Sequence, residues 1–153
     1  MPVFYTELGV PDTRDGRLEI IQLHVILLLR RLQRGDEAAK AVGQALFDTF
    51  FEDVDGSLRE AGVGDLSVGK WIRKLGEQFY ARATAVEVAL EIGDRDGLAA
   101  TLESNLYADG AADGLVAELV DYLFATDAAM GCAGPTADDR HAALQFPPLE
   151  RIR

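Results

Sequence analysis

The chain has 153 residues, 48% hydrophobic and 27% charged, a mixture that suits one globular domain and rules out a disordered segment. Its 26 Asp and Glu outnumber 15 Lys and Arg, and the net charge of −11 repels phosphate backbones, which sets aside direct nucleic-acid binding. The imbalance is concentrated towards the C-terminus: residues 1–82 hold 11 basic against 13 acidic residues, and residues 83–153 hold 4 against 13.

Helical periodicity runs from about residue 16 to about residue 130. A first helix is expected from an N-cap at Asp15 to Arg34, with Gly35 ending it and Asp36 capping the next. Its apolar run from Ile20 to Leu29 is too short for a membrane span, which needs about 20 residues, so it reads as a buried central helix. The second helix carries Ala38, Val42, Ala45, Leu46, Phe50, Val54, Leu58 and Ala61 at spacings of three and four, opposite Asp48, Glu52, Asp55 and Arg59. After the connector Gly62-Val63-Gly64-Asp65-Leu66, Ser67 is the expected cap of a third helix. Its stripe is Val68, Trp71, Ile72, Leu75, Phe79, Ala83, Val86 and Leu90. Gly93 and the stretch from Asp94 to Gly97 interrupt it. A shorter fourth helix follows on Leu98, Leu102 and Leu106. Asp113 can cap a fifth on Leu115, Val116, Leu119, Val120, Leu123 and Phe124. No segment alternates like a strand. The expectation is an all-α, single-domain bundle of about five helices over residues 1–130, followed by a tail at 131–153, partly ordered at best, that holds three of the five prolines.

The single cysteine, Cys132, cannot form an internal disulfide, which fits a reducing compartment. The N-terminus has neither the basic-then-apolar pattern of a signal peptide nor the composition of a transit peptide.

Chemistry-bearing patterns are few. His24 and His141 lie far apart, and no ligand pair has metal-like spacing, so no metal or other cofactor is expected. His24, within an apolar run, reads as a satisfied core histidine. Asp48, Glu52 and Asp55 form a solvated helix face, and no base accompanies Cys132, so no catalytic residue is assigned. Gly64 to Lys70 matches the spacing of a phosphate-binding loop, but Trp71 replaces the required Ser or Thr, and a helix replaces the preceding strand. Two features exceed simple packing. Arg17, His24 and Arg31 recur every seven residues, and Gly62 to Lys70 is rich in glycine. Either the glycines end one helix and let the next approach, or stripe and loop border a groove for a partner peptide.

The strings from Glu7 to Arg17, Leu23-His24, Leu29 to Leu32, Leu46 to Asp48, Asp53 to Asp55, Ser57 to Glu60, Gly62 to Lys70, Ile72-Arg73 and Phe79 to Arg82 resemble the ubiquinol–cytochrome c chaperone family. The likeness covers about residues 4–90; Leu18, Ala61 and Trp71 depart from the family pattern. It implies a non-catalytic assembly factor for the cytochrome bc1 complex that holds newly made cytochrome b, together with a second small assembly factor. For this chain it implies a bacterial, cytoplasmic protein at the inner face of the inner membrane, in peripheral association with it. Within the matching motifs, Asp12, Arg17, Asp53, Arg59, Asp65, Lys70 and Arg82 are the expected charged contacts to the partner, with Tyr80 as an amphipathic one. The rival reading is an all-α domain enclosing a small hydrophobic or haem-like ligand, which requires a closed cavity. An enzyme would require a polar pocket with convergent titratable groups.

Overall fold

A computed structural model describes residues 3–107 and 114–131. Six helices and no strand occur among them: α1 Val3–Thr6, α2 Arg14–Gln33, α3 Glu37–Glu60, α4 Asp65–Ile92, α5 Arg95–Leu106 and α6 Leu115–Met130. The expected tail from 132 onward and the expected cap Asp113 lie outside the described residues. Among the described residues, no helix is long and apolar enough to cross a membrane.

Helix α2 is the axis of the bundle and packs against α3, α4, α5 and α6. It buries Ile20, Leu23, Val25, Ile26 and Leu27 on nearly all sides, as the apolar run from Ile20 to Leu29 leads one to expect. Side chains from the other helices close this core, chiefly Phe50, Phe79, Val86, Leu98, Leu102, Leu119 and Leu123.

The helix ends show which local groups win. Thr13, not Asp15, caps α2, its Oγ1 accepting from the Gly16 amide at 3.1 Å. The chain before it turns in at Pro11, so the cap falls two residues early, and Asp15 is left in the first turn, where its charge suits the helix dipole. Asp36 caps α3 as expected, accepting from Ala39 at 2.8 Å. Helix α4 starts at Gly64 rather than Ser67; the Gly64 carbonyl already accepts from Ser67 and Val68, which places Ser67 inside the first turn. Helix α3 ends in a Schellman turn: Gly62, at φ 81°, donates to Arg59 O while Val63 donates to Leu58 O. Nothing lies within 4 Å of a Cβ built on Gly62 or Gly64, so neither serves a close approach: Gly62 ends α3 and Gly64 precedes the first turn of α4. Helix α4 closes at Gly93 and α5 opens one residue later on an Asp94 cap, so the expected interruption is a sharp corner.

Two further departures reflect packing. The short helix α1 was not expected; it seats Phe4, with Leu8 and Val10 following, in the core. At the start of α3 the buried face is Ala39 and Gly43, while Ala38, Val42 and Ala45 are exposed. Gly43 faces Leu32 of α2, whose Cβ would lie 3.3 Å from an added methyl, so the close crossing rotates this end of α3 away from its apolar stripe.

Candidate partner-binding groove

Two adjoining hollows open on one side of the bundle. The first, about 510 Å³, lies between the start of α2, the second half of α3 and the first turns of α4. Leu18, Ile21, Phe50, Val54 and Trp71 supply its apolar lining, and Asp12, Arg14, Arg17 and Asp53 its charges. The second, about 650 Å³, lies between the 9–19 segment, α4 and the end of α5, and is more polar, with Asp15, Glu19, Lys74, Gln78, Arg82 and Asn105 in its lining. Thr13, Leu18 and Trp71 line both. The hollows are therefore continuous past Trp71, the only tryptophan of the chain.

The segment 8–13 that forms one wall is fixed from both sides. Tyr107 donates its hydroxyl to Leu8 O at 2.8 Å, and burial pushes that phenol up to about 12. Gly16 is buried where an added Cβ would overlap the Pro11 carbonyl oxygen and lie 3.1 Å from its carbon, so the wall rests directly on the helix backbone.

Beneath the polar hollow is a buried ionic cluster. Arg82, 7% exposed, donates to Gln22 Oε1 at 2.8 Å and Asn105 Oδ1 at 2.9 Å, and its Nη1 lies 3.0 Å from Glu19 Oε2. Burial pushes the Glu19 carboxyl up despite the adjacent guanidinium, and pushes the Arg82 guanidinium down. Glu19 Oε2 and Arg82 Nε make no aligned hydrogen bond. The cluster ties α2, α4 and α5 together at an electrostatic cost.

The structure separates the sequence-predicted residues into four groups. Asp12, Arg17 and Asp53 meet at the apolar groove. Arg17 Nε donates to Asp12 at 2.6 Å, and that hydrogen bond holds the Asp12 carboxyl below its usual range. Arg59 bridges Asp55 and Asp65 across the α3–α4 turn. Lys70 and Tyr80 are exposed on the outside of α4, lining neither hollow, and Tyr80 rests on Phe47 and Phe79 at centroid distances of 5.7 and 6.2 Å. Arg82 is a structural cation with most of its donors committed inside the molecule.

The seven-residue stripe divides in the same way. Arg17 borders the groove, but further along the same face α1 and α6 cover His24. Its Nδ1 lies 2.7 Å from Ile20 O, an acceptor only, so Nδ1 carries the proton and Nε2 accepts from the Tyr122 hydroxyl at 2.9 Å. Phe4 meets both rings edge-on. His24 is thus the satisfied core histidine that its apolar setting indicates, and burial holds its pKa low. The Gly62–Lys70 segment does not line the groove. From Asp65 onward it is helix, which removes the phosphate-loop reading. Among the described residues, no group of three or more His, Cys, Asp or Glu could hold a metal ion.

Comparison with known proteins places this architecture. The family model of ubiquinol–cytochrome c chaperones matches residues 6–134. The chain belongs to the ubiquinol–cytochrome c chaperone family. It is 28% identical over 103 residues to the ubiquinol-cytochrome-c reductase complex assembly factor 1 of Xenopus laevis, a match covering 67% of this chain and 51% of that protein. The chain therefore spans about half the length of that curated relative. It also superposes on the crystal structure of the Cbp3 homolog from Brucella abortus with a TM-score of 0.88 and 32% identity, covering 100% of this chain and 84% of that one.

Within this family chain, two of the three departures from the family pattern, Leu18 and Trp71, line both hollows. Ile21, Phe50 and Val54 were not singled out as site residues. Ile21 gave no sequence signal either, and its 51% exposure shows only in the fold. Phe50 and Val54 read as core, because helical spacing cannot distinguish a groove floor from a helix interface.

Proposed function

We propose that this chain is a non-catalytic assembly chaperone of the cytochrome bc1 complex, and that it binds newly made cytochrome b. The observation that carries the reading is an open apolar groove with fixed charges of both signs, in a chain of the ubiquinol–cytochrome c chaperone family. A hydrophobic client segment fits Leu18, Ile21, Phe50, Val54 and Trp71, while Asp12, Arg17 and Asp53 meet its polar flanks. The client-binding unit comprises residues 1–130 and acts at the cytoplasmic face of a bacterial inner membrane, in peripheral association with it and with a second small assembly factor.

The enclosed-ligand alternative calls for a closed apolar cavity. Both hollows open to the surface, and both His24 ring nitrogens are engaged, which favours the chaperone. The test is a tagged pull-down from native membranes, with the eluate probed for cytochrome b. Wild type is expected to enrich it, and Ile21→Asp, a change at a half-exposed position, is expected to lose it while keeping its helix content. An eluate free of cytochrome b, from cells actively assembling the complex, contradicts the proposal.

A further inference from the structure

The outer face of α4 plays no part in the groove. At about 100° per residue, Lys70, Arg73, Glu77, Ala81, Thr84, Val88 and Glu91 fall on one side of this helix, with Tyr80 and Glu87 along one edge. All nine are exposed. Val88 is 51%, Tyr80 61% and Ile92 70% exposed, half of the exposed large hydrophobics among the described residues on a single helix half. Charge along the face is split. Lys70 and Arg73 make its first half basic. From Glu77 to Ile92 the exposed ionic groups are all carboxylates, because the sole cation there, Arg82, is buried.

A helix face that is basic at one end and acidic at the other, with Tyr80 and Ala81 between, complements itself when run antiparallel. Two-fold symmetry then matches each residue with a partner on the same edge. Centring the axis between Tyr80 and Ala81 sets Lys70 opposite Glu91 and Glu77 opposite Thr84, and brings Arg73, opposite Val88, within one residue of Glu87. Small Ala81 sits at the point of closest approach, with Tyr80 of each copy covering it. A uniformly basic or acidic partner would satisfy one half of the face and clash with the other.

We propose that α4 mediates an isologous antiparallel dimer of this chain. One helix pair buries less than the roughly 800 Å² per partner of a standard interface. The dimer is therefore weak, with a Kd on the order of tens of micromolar. Glu91 already serves both Arg30 and Arg34, while Glu87 meets Arg30 only at 3.8 Å and stays largely exposed, so Arg73 and Glu87 carry more of the specificity.

Analytical ultracentrifugation of the full chain over about 5–500 µM tests this, a range that brackets the expected Kd. Arg73→Glu and Glu87→Arg should each weaken dimerisation about tenfold, since each reversal acts at two symmetric places. The double variant, which restores opposite charges across the axis, should return to within about threefold of wild type. Ala81→Glu brings two carboxylates together at the axis and should leave only monomer, with circular dichroism unchanged because the position is exposed. A wild type that is monomeric throughout, or a double variant no better than either single one, overturns the proposal. None of these three residues lines the groove, so cytochrome b capture by the same variants separates failure of the dimer from failure of the chaperone reading.

Discussion

Replacing Gly16 by alanine is expected to damage this protein, although the same change elsewhere in its helices should help it. Alanine in a helix interior is ordinarily favoured over glycine by about 1 kcal/mol. At Gly16 the new methyl would overlap the Pro11 carbonyl oxygen, with the Pro11 carbon at 3.1 Å and Thr13 Oγ1 at 3.4 Å. Backbone cannot turn aside as a side-chain tip can, so the 11–13 segment must lift. Overpacking costs about 1–3 kcal/mol, and losing the Thr13 cap costs about 1 kcal/mol. Net of the propensity gain, Gly16→Ala should destabilise by about 1–3 kcal/mol. Gly56→Ala and Gly69→Ala, both helical and with nothing within 4 Å of the added methyl, should be neutral or stabilise by up to about 1 kcal/mol. Urea unfolding followed by circular dichroism measures all three with one slope. A Gly16→Ala variant as stable as the other two would refute the close approach of this wall to α2. Because Pro11, Thr13 and Gly16 line the polar hollow, the destabilised variant should also bind client less well.

Three further outcomes follow from buried polar groups. Tyr107→Phe removes the hydroxyl that satisfies Leu8 O and should cost about 1–3 kcal/mol; the wild-type phenol, raised to about 12 in the fold from 10.0, should make stability fall as pH climbs between those values, a loss that the Phe variant lacks in matched unfolding curves. Burial holds the folded His24 pKa below the ordinary imidazole value of about 6.5, so its stabilising contribution is complete above that pH and declines as pH falls through the folded value. Urea midpoints should therefore drop from pH 7.5 to 5.5 in wild type and stay nearly level in His24→Asn. Arg82→Met leaves Glu19 buried without its cation and should cost about 3–5 kcal/mol, whereas adding Glu19→Gln should recover a substantial part; a double variant as unstable as the single would show that Glu19 and Arg82 are not coupled.

Legibility in the sequence followed the length scale of each feature. Helices α2 to α6 were readable because each repeats an apolar stripe over several turns, and their corners at Gly62 and Gly93 follow from glycine's access to positive φ. Helix α1 was not, since four residues contain no period; only Phe4 and the later Leu8 and Val10 gave it anchors. Caps were misplaced by two or three residues at Thr13 and Gly64, where the turn before the helix, and not the strongest capping residue, decided the start. The rotation at Ala39 and Gly43 depends on how closely α3 crosses α2, a tertiary distance with no local signature. At the site, Asp12, Arg17 and Asp53 came from motif resemblance and do converge. Their floor did not announce itself, because Ile21, Phe50, Val54 and Trp71 belong to three helices and look like core on each. Arg82 illustrates the converse: its motif looked like a contact, and its burial beside Gln22 and Glu19 makes it a brace.

The central claim is that cytochrome b lies in the groove between α2, α3 and α4, and site-specific photo-crosslinking tests it most directly. With p-benzoylphenylalanine in place of Ile21, at the groove, or in place of Val88, on the outer face of α4, irradiation of membranes assembling the complex should yield a cytochrome b adduct from position 21 and none from position 88. Adducts from Val88 alone, or cytochrome b adducts from neither site, would contradict the account.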